Sequence, residues 1–304
     1  MTLACLRSIA AETETAHEII LVDNASTDGS AQAVAKEFPG IRLMAEAENH
    51  GFAGANNLAA AEARGQYLLL LNPDTVVRER AIDRLVDFAR EMPQAKIWGG
   101  RTLFADGSLN PASCWRRIGL WNLFCRAAGL TGLFPGSPVF NSEAYGGWAR
   151  DSVRAVDIVS GCFLLITRAL WQQLGGFDAH FVMYGEEADL CLRARALGAD
   201  PHITPAATII HHGGASERVR AEKMIRLLRA KTSLIRRHLP AWQRPAALAL
   251  IRAWPLSRRL ALGLVALSGR KRESAAVWAE IWRRRAEWQQ GWSAQGPGPA
   301  PQAV

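Results

Sequence analysis

The chain has 304 residues, 49% of them apolar and 21% charged, a balance that suits a folded protein and excludes a disordered one. Its five cysteines are odd in number and scattered, without a CxxC pair. They exclude a disulfide framework or a zinc finger and point to reduced thiols in a cytoplasmic setting. The net charge of +8 divides unevenly: residues 1–216 hold 18 Lys and Arg against 23 Asp and Glu, whereas residues 217–304 hold 18 against 5. Six of the 11 tryptophans also lie in that last stretch, so the chain reads as a mildly acidic body followed by a basic, Trp-rich region. Residues 1–11 lack the basic start and apolar run of a signal peptide.

In chain order, residues 3–11 read as the end of a helix and residues 18–23 as a short buried strand. The turn Asn24–Ser30 leads to a helix over 31–38, stopped by Pro39-Gly40. A second strand is expected over 41–45. A Gly-rich turn from Asn49 to Asn57 then opens a helix over 57–64, and a third strand spans 67–71. This alternation predicts a largely parallel, doubly wound sheet. Residues 80–92 are an amphipathic helix. Residues 106–147, rich in Gly, Pro and aromatics, read as a long, mobile loop. A strand over 156–166 is broken by Ser160-Gly161, residues 170–174 and 187–197 are helical, and 206–210 is a last strand before His211-His212. From 217 to 292 the pattern is helical, and 293–304 dissolves into a Pro/Gly/Ala/Gln tail expected to be disordered. There is no internal repeat.

Four polar clusters follow strands or turns: Asp23 with Asp28, Asn72 with Asp74, Glu186-Glu187 with Asp189, and His211-His212. The strand 67–71 delivers Asp74 into a turn at its carboxyl end, the edge at which open α/β sheets bind ligands. A carboxylate there can hold a hard divalent cation, and the cation a diphosphate. Each cluster also has a structural explanation. Asn-Pro-Asp opens turns, Asp28 can cap the helix near Ser30, and the acidic trio suits a helix's first turn.

Together the segments VDNASTDGS, NxGFAxGxN, LLLLNPDT, VSGCFLLITR, GGFDxxFxMYGEExDLCLRxRxxG and IIHHGGAS resemble the inverting family-2 glycosyltransferases of the GT-A fold. The likeness is greatest to bacterial rhamnosyltransferase-like members. It covers roughly residues 3–216 and implies a doubly wound mixed sheet, a nucleotide-sugar donor, and a glycan or polyprenyl-linked acceptor. By that resemblance Asp23 would bond the donor's base, while Asn49, Gly54 and Asn56 would lie near nucleotide and ribose. Asp74 would hold a divalent metal, Mn2+ or Mg2+, with Asn72 standing where the motif's first acid usually stands. His211 would complete the metal site. Glu187 would be the general base, one methylene longer than the usual Asp, with Glu186 as its competitor. Asp189, Cys191 and Arg193 would position or support.

Family members begin with a strand of the type VSVVIVTYN, whereas Met1–Arg7 matches the helix that follows it. The expectation is therefore an N-terminally truncated domain over 1–216, whose strand ending at Asp23 lacks its inner neighbour, poorly stable or inactive alone. A basic helical extension (217–292) and a tail (293–304) would follow. Trp278, Ile281, Trp282, Trp288 and Trp292 fall on one helical face flanked by Arg283 and Arg284. That stripe fits either packing onto the body or peripheral attachment to anionic lipid at the inner face of the plasma membrane. No nucleic-acid module is present. The competing functions are a sugar-phosphate nucleotidyltransferase, against which the EExD and HHGG segments argue, and an inactive membrane-associated module. A dehydrogenase lacks its GxGxxG.

Overall fold

A computed structural model describes residues 1–213 and 220–292. The expected disordered tail, and the Gly214 and Ser216 end of the HxGGxS segment, lie outside the described residues. Helix α1 (Thr2–Glu12) precedes strand β1 (Ile20–Asn24), helix α2 (Ser30–Glu37), strand β2 (Arg42–Glu46) and helix α3 (Gly51–Glu62). Strands β3 (Tyr67–Leu71) and β4 (Thr75–Val77) flank the Asn-Pro-Asp turn. Helix α4 (Ala81–Glu91), strand β5 (Ile97–Leu103) and the short strand β6 (Cys114–Trp115) follow. Helices α5 (Leu120–Ala127) and α6 (Leu130–Leu133) lead to strands β7 (Arg154–Ala155), β8 (Ile158–Val159) and β9 (Phe163–Thr167). Then come α7 (Arg168–Leu174), α8 (Glu186–Ala196) and β10 (His202–His211). The chain closes on α9 (Arg220–His238), α10 (Arg244–Leu267), α11 (Arg272–Arg283) and α12 (Ala286–Gln289).

The main sheet runs β3-β9-β5-β10-β4, with β7 on β10. It is mixed rather than largely parallel, because β9 enters between β3 and β5 antiparallel to both. The polypeptide reaches β9 only after the 106–147 excursion, so strand–helix alternation could not reveal its direction. Strands β1 and β2 pair in parallel as a separate ribbon. Strand β1 bonds a strand on one edge only among the described residues, and so does β3.

The continuous apolar run of β3 follows from burial on both faces. Leu68 and Leu70 enter one core with Leu164 and Ile166, whereas Leu69 and Leu71 pack on a second core with Phe163 and Leu165. Helices α1 and α4 cover the second core. Helices α7 to α12 supply Trp171, Leu190, Leu228, Trp254, Ile281 and Trp288 to the first. Strand β10 is longer than expected and changes register between Thr204 and Thr208, where Pro205, which cannot donate to the ladder, sits.

Two expectations are corrected, and of the two open readings of the Trp stripe, packing onto the body holds. Helix α3 begins at Gly51, so Gly54 and Asn56 are helical rather than part of a loop; Gly54 is needed because a Cβ there would approach the His50 Cβ to 2.9 Å. Residues 106–147 are no mobile flap. The buried Arg150 guanidinium donates to the carbonyls of Trp148 and Ala144 at 2.7 Å and of Pro111 at 3.2 Å, and Glu143 is buried between Arg126 and Lys231. Charges and the apolar face of α5, which buries Leu123, Cys125 and Ala127, together hold this segment. The Trp stripe packs inward: Ile281 and Trp288 are fully buried, and Trp278, Trp282 and Trp292 lie against the same core. Its flanking arginines are already paired, Arg283 with Glu280 and Arg284 with Glu287 and Glu222.

Candidate active site

The Asn72–Thr75 turn is fixed by the Thr75 hydroxyl, which donates to the Asn72 carbonyl at 2.7 Å, and by the His212 N–H, which donates to the Asp74 carbonyl at 3.0 Å. Strand β4 pairs antiparallel with β10, with Thr75 opposite His211, which brings the end of β10 beside the turn. The His211 Nε2 therefore lies 3.4 Å from Asp74 Oδ1 and 3.4 Å from the Asn72 amide nitrogen. Burial opposes ionisation of both groups, but each stabilises the other. Asp74 falls below the usual carboxylate range, and His211 rises to about 10 through Asp74 and the neighbouring Cys162. Among the described residues no three His, Cys, Asp or Glu are grouped so as to hold a metal ion by themselves. A carboxylate and an imidazole at one spot, with His211 Nδ1 buried and lacking a hydrogen bond, fit a divalent cation whose remaining positions a diphosphate and water would fill.

The segment Ser160–Cys162, between β8 and β9, links this pair to the acids of α8. The Asn72 N–H donates to the Cys162 carbonyl at 3.1 Å. A Cβ on Gly161 would press the Phe52 ring at 3.2 Å and reach ordinary contact with the Glu187 Cβ at 3.7 Å, so this segment lies close against α3 and the start of α8. One backbone segment thus touches both the Asn-Pro-Asp turn and the start of α8. Gly185, at φ 93°, turns the chain into α8 so that Glu186 and Glu187 occupy its first turn. Glu186 is buried and its Oε2 has no hydrogen-bond partner, whereas Glu187 keeps partial access to solvent. Burial raises both carboxyls, and the charge of Glu187 raises Glu186 further. A carboxylate with a raised pKa is a better proton acceptor near neutrality than an exposed one.

Across the sheet edge, Asp23 lies half-buried at the carboxyl end of β1. Its neighbour Asn24 organises the next loop. Its amide donates to Asn49 Oδ1 at 3.0 Å and to the Gly51 carbonyl at 3.2 Å, and its Oδ1 accepts from the His50 N–H at 2.7 Å. Asn49 in turn accepts from the Gly51 N–H at 2.9 Å. Asn56 bonds the Phe52 carbonyl one turn back, at 2.8 Å, so its amide serves the helix itself. Asp28 accepts from the Ser30 N–H at 3.0 Å and so shapes the turn before α2, whose N-cap is Gly29 with no side-chain capping bond. Gly51, at φ 67°, would meet the Val182 carbonyl at 3.0 Å with a Cβ, so the loop before α8 closes on the start of α3.

Asp189 is fully buried. Arg193 bonds it at 2.7 Å from its own helix, and Arg237 at 3.0 Å and His238 at 2.8 Å reach it from α9. Burial alone would raise this carboxyl; His238 and the two arginines hold it below the ordinary range. Arg193 also donates to the carbonyls of Leu174 and Gly176, and Asn57 brackets Phe177 with two bonds of 2.9 Å. Sequence reasoning missed Asn24, Asn57, Arg237 and His238. Each is polar and locally unremarkable, and only its long-range partner marks it. Asp189→Ala is expected to destabilise the fold by about 3 kcal/mol, because it removes a fully buried carboxylate that Arg193, Arg237 and His238 share. The loss of stability in wild type should appear as pH falls through the depressed carboxyl pKa, and urea unfolding at graded pH checks both.

The model of glycosyl transferase family 2 matches residues 1–155, about half of the chain. The chain belongs to glycosyl transferase family 2. This family-2 enzyme is a glycosyltransferase and is 31% identical over 221 residues to the N-acetylglucosaminyl-diphospho-decaprenol L-rhamnosyltransferase of Mycobacterium tuberculosis, covering 68% of this chain and 70% of that one. It is 29% identical over 178 residues to rhamnosyltransferase WbbL of Escherichia coli, covering 54% of this chain and 61% of that one. A mannosyltransferase from Pyrobaculum calidifontis, solved in complex with GDP-Man and Mn2+, superimposes with a TM-score of 0.53 at 19% identity over 95% of this chain and 81% of that one. That likeness shows the shared GT-A fold. A separate hollow of about 390 Å3 between α8 and α9, lined by Leu192, Arg195, Leu234 and His238, contains none of the candidate acids.

Proposed function

We propose that this glycosyltransferase moves a sugar, rhamnose or a related deoxyhexose, from a nucleoside-diphosphate donor to a glycan or polyprenyl-linked acceptor in cell-surface polysaccharide synthesis. It does so with inversion, as a peripheral protein at the inner face of the plasma membrane. The observation that carries this reading is the Ser160–Cys162 segment, which borders the Asp74–His211 pair on one side and Glu187 on the other.

Asp23 and the loop that Asn24 ties through Asn49 to Gly51 would seat the nucleotide, with Gly54 and Asn56 on the helix behind it. Asp74 and His211 would hold a divalent cation, Mn2+ or Mg2+. When bound, the cation neutralises charge growing on the departing diphosphate. Asn72, neutral where an acid would add charge, leaves Asp74 as the single carboxylate of the pair. Glu187 would take the proton of the attacking hydroxyl, which is too weak a nucleophile unaided, and Glu186 is its competitor. Asp189 and Arg193 would position α8. Attack from the side opposite the diphosphate inverts the anomeric centre.

The supporting identity to rhamnosyltransferases is about 30%, which favours deoxyhexose donors in the first trials. The test is a screen of nucleotide sugars with polyprenyl-linked and free glycan acceptors, with Mn2+, Mg2+ or EDTA, and product linkage read by NMR. Metal-dependent transfer with inverted configuration is expected. Turnover unaffected by EDTA, or a retained configuration, would overturn it.

A further inference from the structure

Burial of the Trp stripe leaves a different apolar surface uncovered. On α10, Leu260, Leu264 and Leu267 are 58%, 70% and 84% exposed. At 100° per residue they fall within about 60° of arc, one face of the helix. On α5, Trp121 and Phe124 share a face and are both exposed, as are Leu133 and Phe134 beside α6. The two groups belong to neighbouring elements. The Ser257 hydroxyl donates to the Ala127 carbonyl at 2.7 Å, and the Arg258 guanidinium abuts Gly129 at the α5–α6 junction.

The charge around these side chains has one sign. Residues 244–272 contain seven Arg and Lys and no Asp or Glu, and residues 107–142 contain three Arg and no acid. Arg259, Arg270, Lys271 and Arg272 are exposed at and beyond the apolar face of α10. No helix among the described residues is long and apolar enough to cross a membrane. We propose that α5, α6 and the second half of α10 form a docking surface that lies on an anionic lipid bilayer, with the leucines and Trp121 in the headgroup layer and the arginines on lipid phosphates. A second copy of the chain fits less well, because a two-fold contact here would set like charges against each other. The proposal deepens the peripheral-membrane part of the functional reading and rests on it, since a lipid-linked acceptor gives the docking its use.

The test is flotation of the full chain with vesicles of phosphatidylcholine alone or with phosphatidylglycerol. Binding to the anionic vesicles only, weakening as salt rises, is expected. Leu264→Glu with Leu267→Glu should lower the partition coefficient by about tenfold or more. Arg270→Gln, Lys271→Gln and Arg272→Gln together should remove the preference for anionic lipid. Both sets change exposed side chains, and an unchanged thermal midpoint verifies folding. Wild-type protein that stays at the bottom, or leucine variants that float as it does, would overturn the proposal. So would a concentration-dependent dimer abolished by the leucine changes without any flotation. Flotation needs neither donor nor acceptor, so its outcome is separate from the failure of sugar transfer. Transfer to a short, water-soluble acceptor should be unchanged in the leucine variants.

Discussion

Asp74→Asn is expected to lower metal-dependent transfer by about 1,000-fold or more, since the Lewis acid contributes several kcal/mol to the barrier. The change keeps the size of the side chain and the backbone bonds of the turn but removes the single carboxylate beside His211. It should therefore lower the thermal midpoint of the metal-free protein at pH 7, where the ion pair with His211 is lost, and abolish Mn2+-dependent donor binding in calorimetry. His211 supplies a second signature. In the metal-free protein its pKa of about 10 keeps it protonated at pH 7, so a cation must displace that proton to bind. Apparent metal affinity should then rise with pH between 6 and 9 and flatten in His211→Ala. Metal affinity independent of pH, or an Asp74→Asn enzyme at wild-type rates, would remove the metal site from this turn.

Glu187→Gln is expected to lower kcat by about 100- to 10,000-fold with donor affinity retained, the loss typical of a general base. The wild-type rate should rise with pH through a pKa above the ordinary carboxylate value, because burial disfavours the charged form. Glu186→Gln separates the two acids. A buried carboxyl with a raised pKa favours folding only below its unfolded pKa, and that contribution is lost as pH rises through the folded one. Replacing Glu186 should therefore stabilise the fold at pH 7.5 by about 1 kcal/mol, or roughly 2–4 °C in thermal midpoint, and have no effect near pH 4. If Glu187→Gln turns over normally while Glu186→Gln is dead, the base is Glu186, and a more stable but inactive Glu186→Gln would show strain held for chemistry.

The parts of this molecule legible in one dimension are those set by local physics. The five-residue apolar run of β3 announces a strand buried on both faces, and the Asn-Pro-Asp after it announces where a carboxylate must emerge. The first turn of α8 is equally plain from its acids. Direction and partners are another matter. Nothing in Phe163–Thr167 states that it runs antiparallel between two parallel strands, because both arrangements ask for the same apolar residues. The Trp stripe shows why periodicity alone misleads: it identifies a face of a helix but not what the face meets. Helix α5 was hidden by flanking glycines and by anchors such as Arg150 and Glu143, whose partners are distant carbonyls and charges. Asn24 belongs to the same class, since its three bonds all reach the loop after β2.

The cluster on Asp189 ties together two regions that differ sharply in composition. Arg237 and His238, from the basic last third, bond a carboxylate seated two residues beyond the proposed base. Trading the terminal helices of this enzyme for those of a relative would therefore disturb the first turn of α8 unless Arg237 and His238 came along. The start of α8 and the terminal helices, however modular they look along the gene, form a single packed unit.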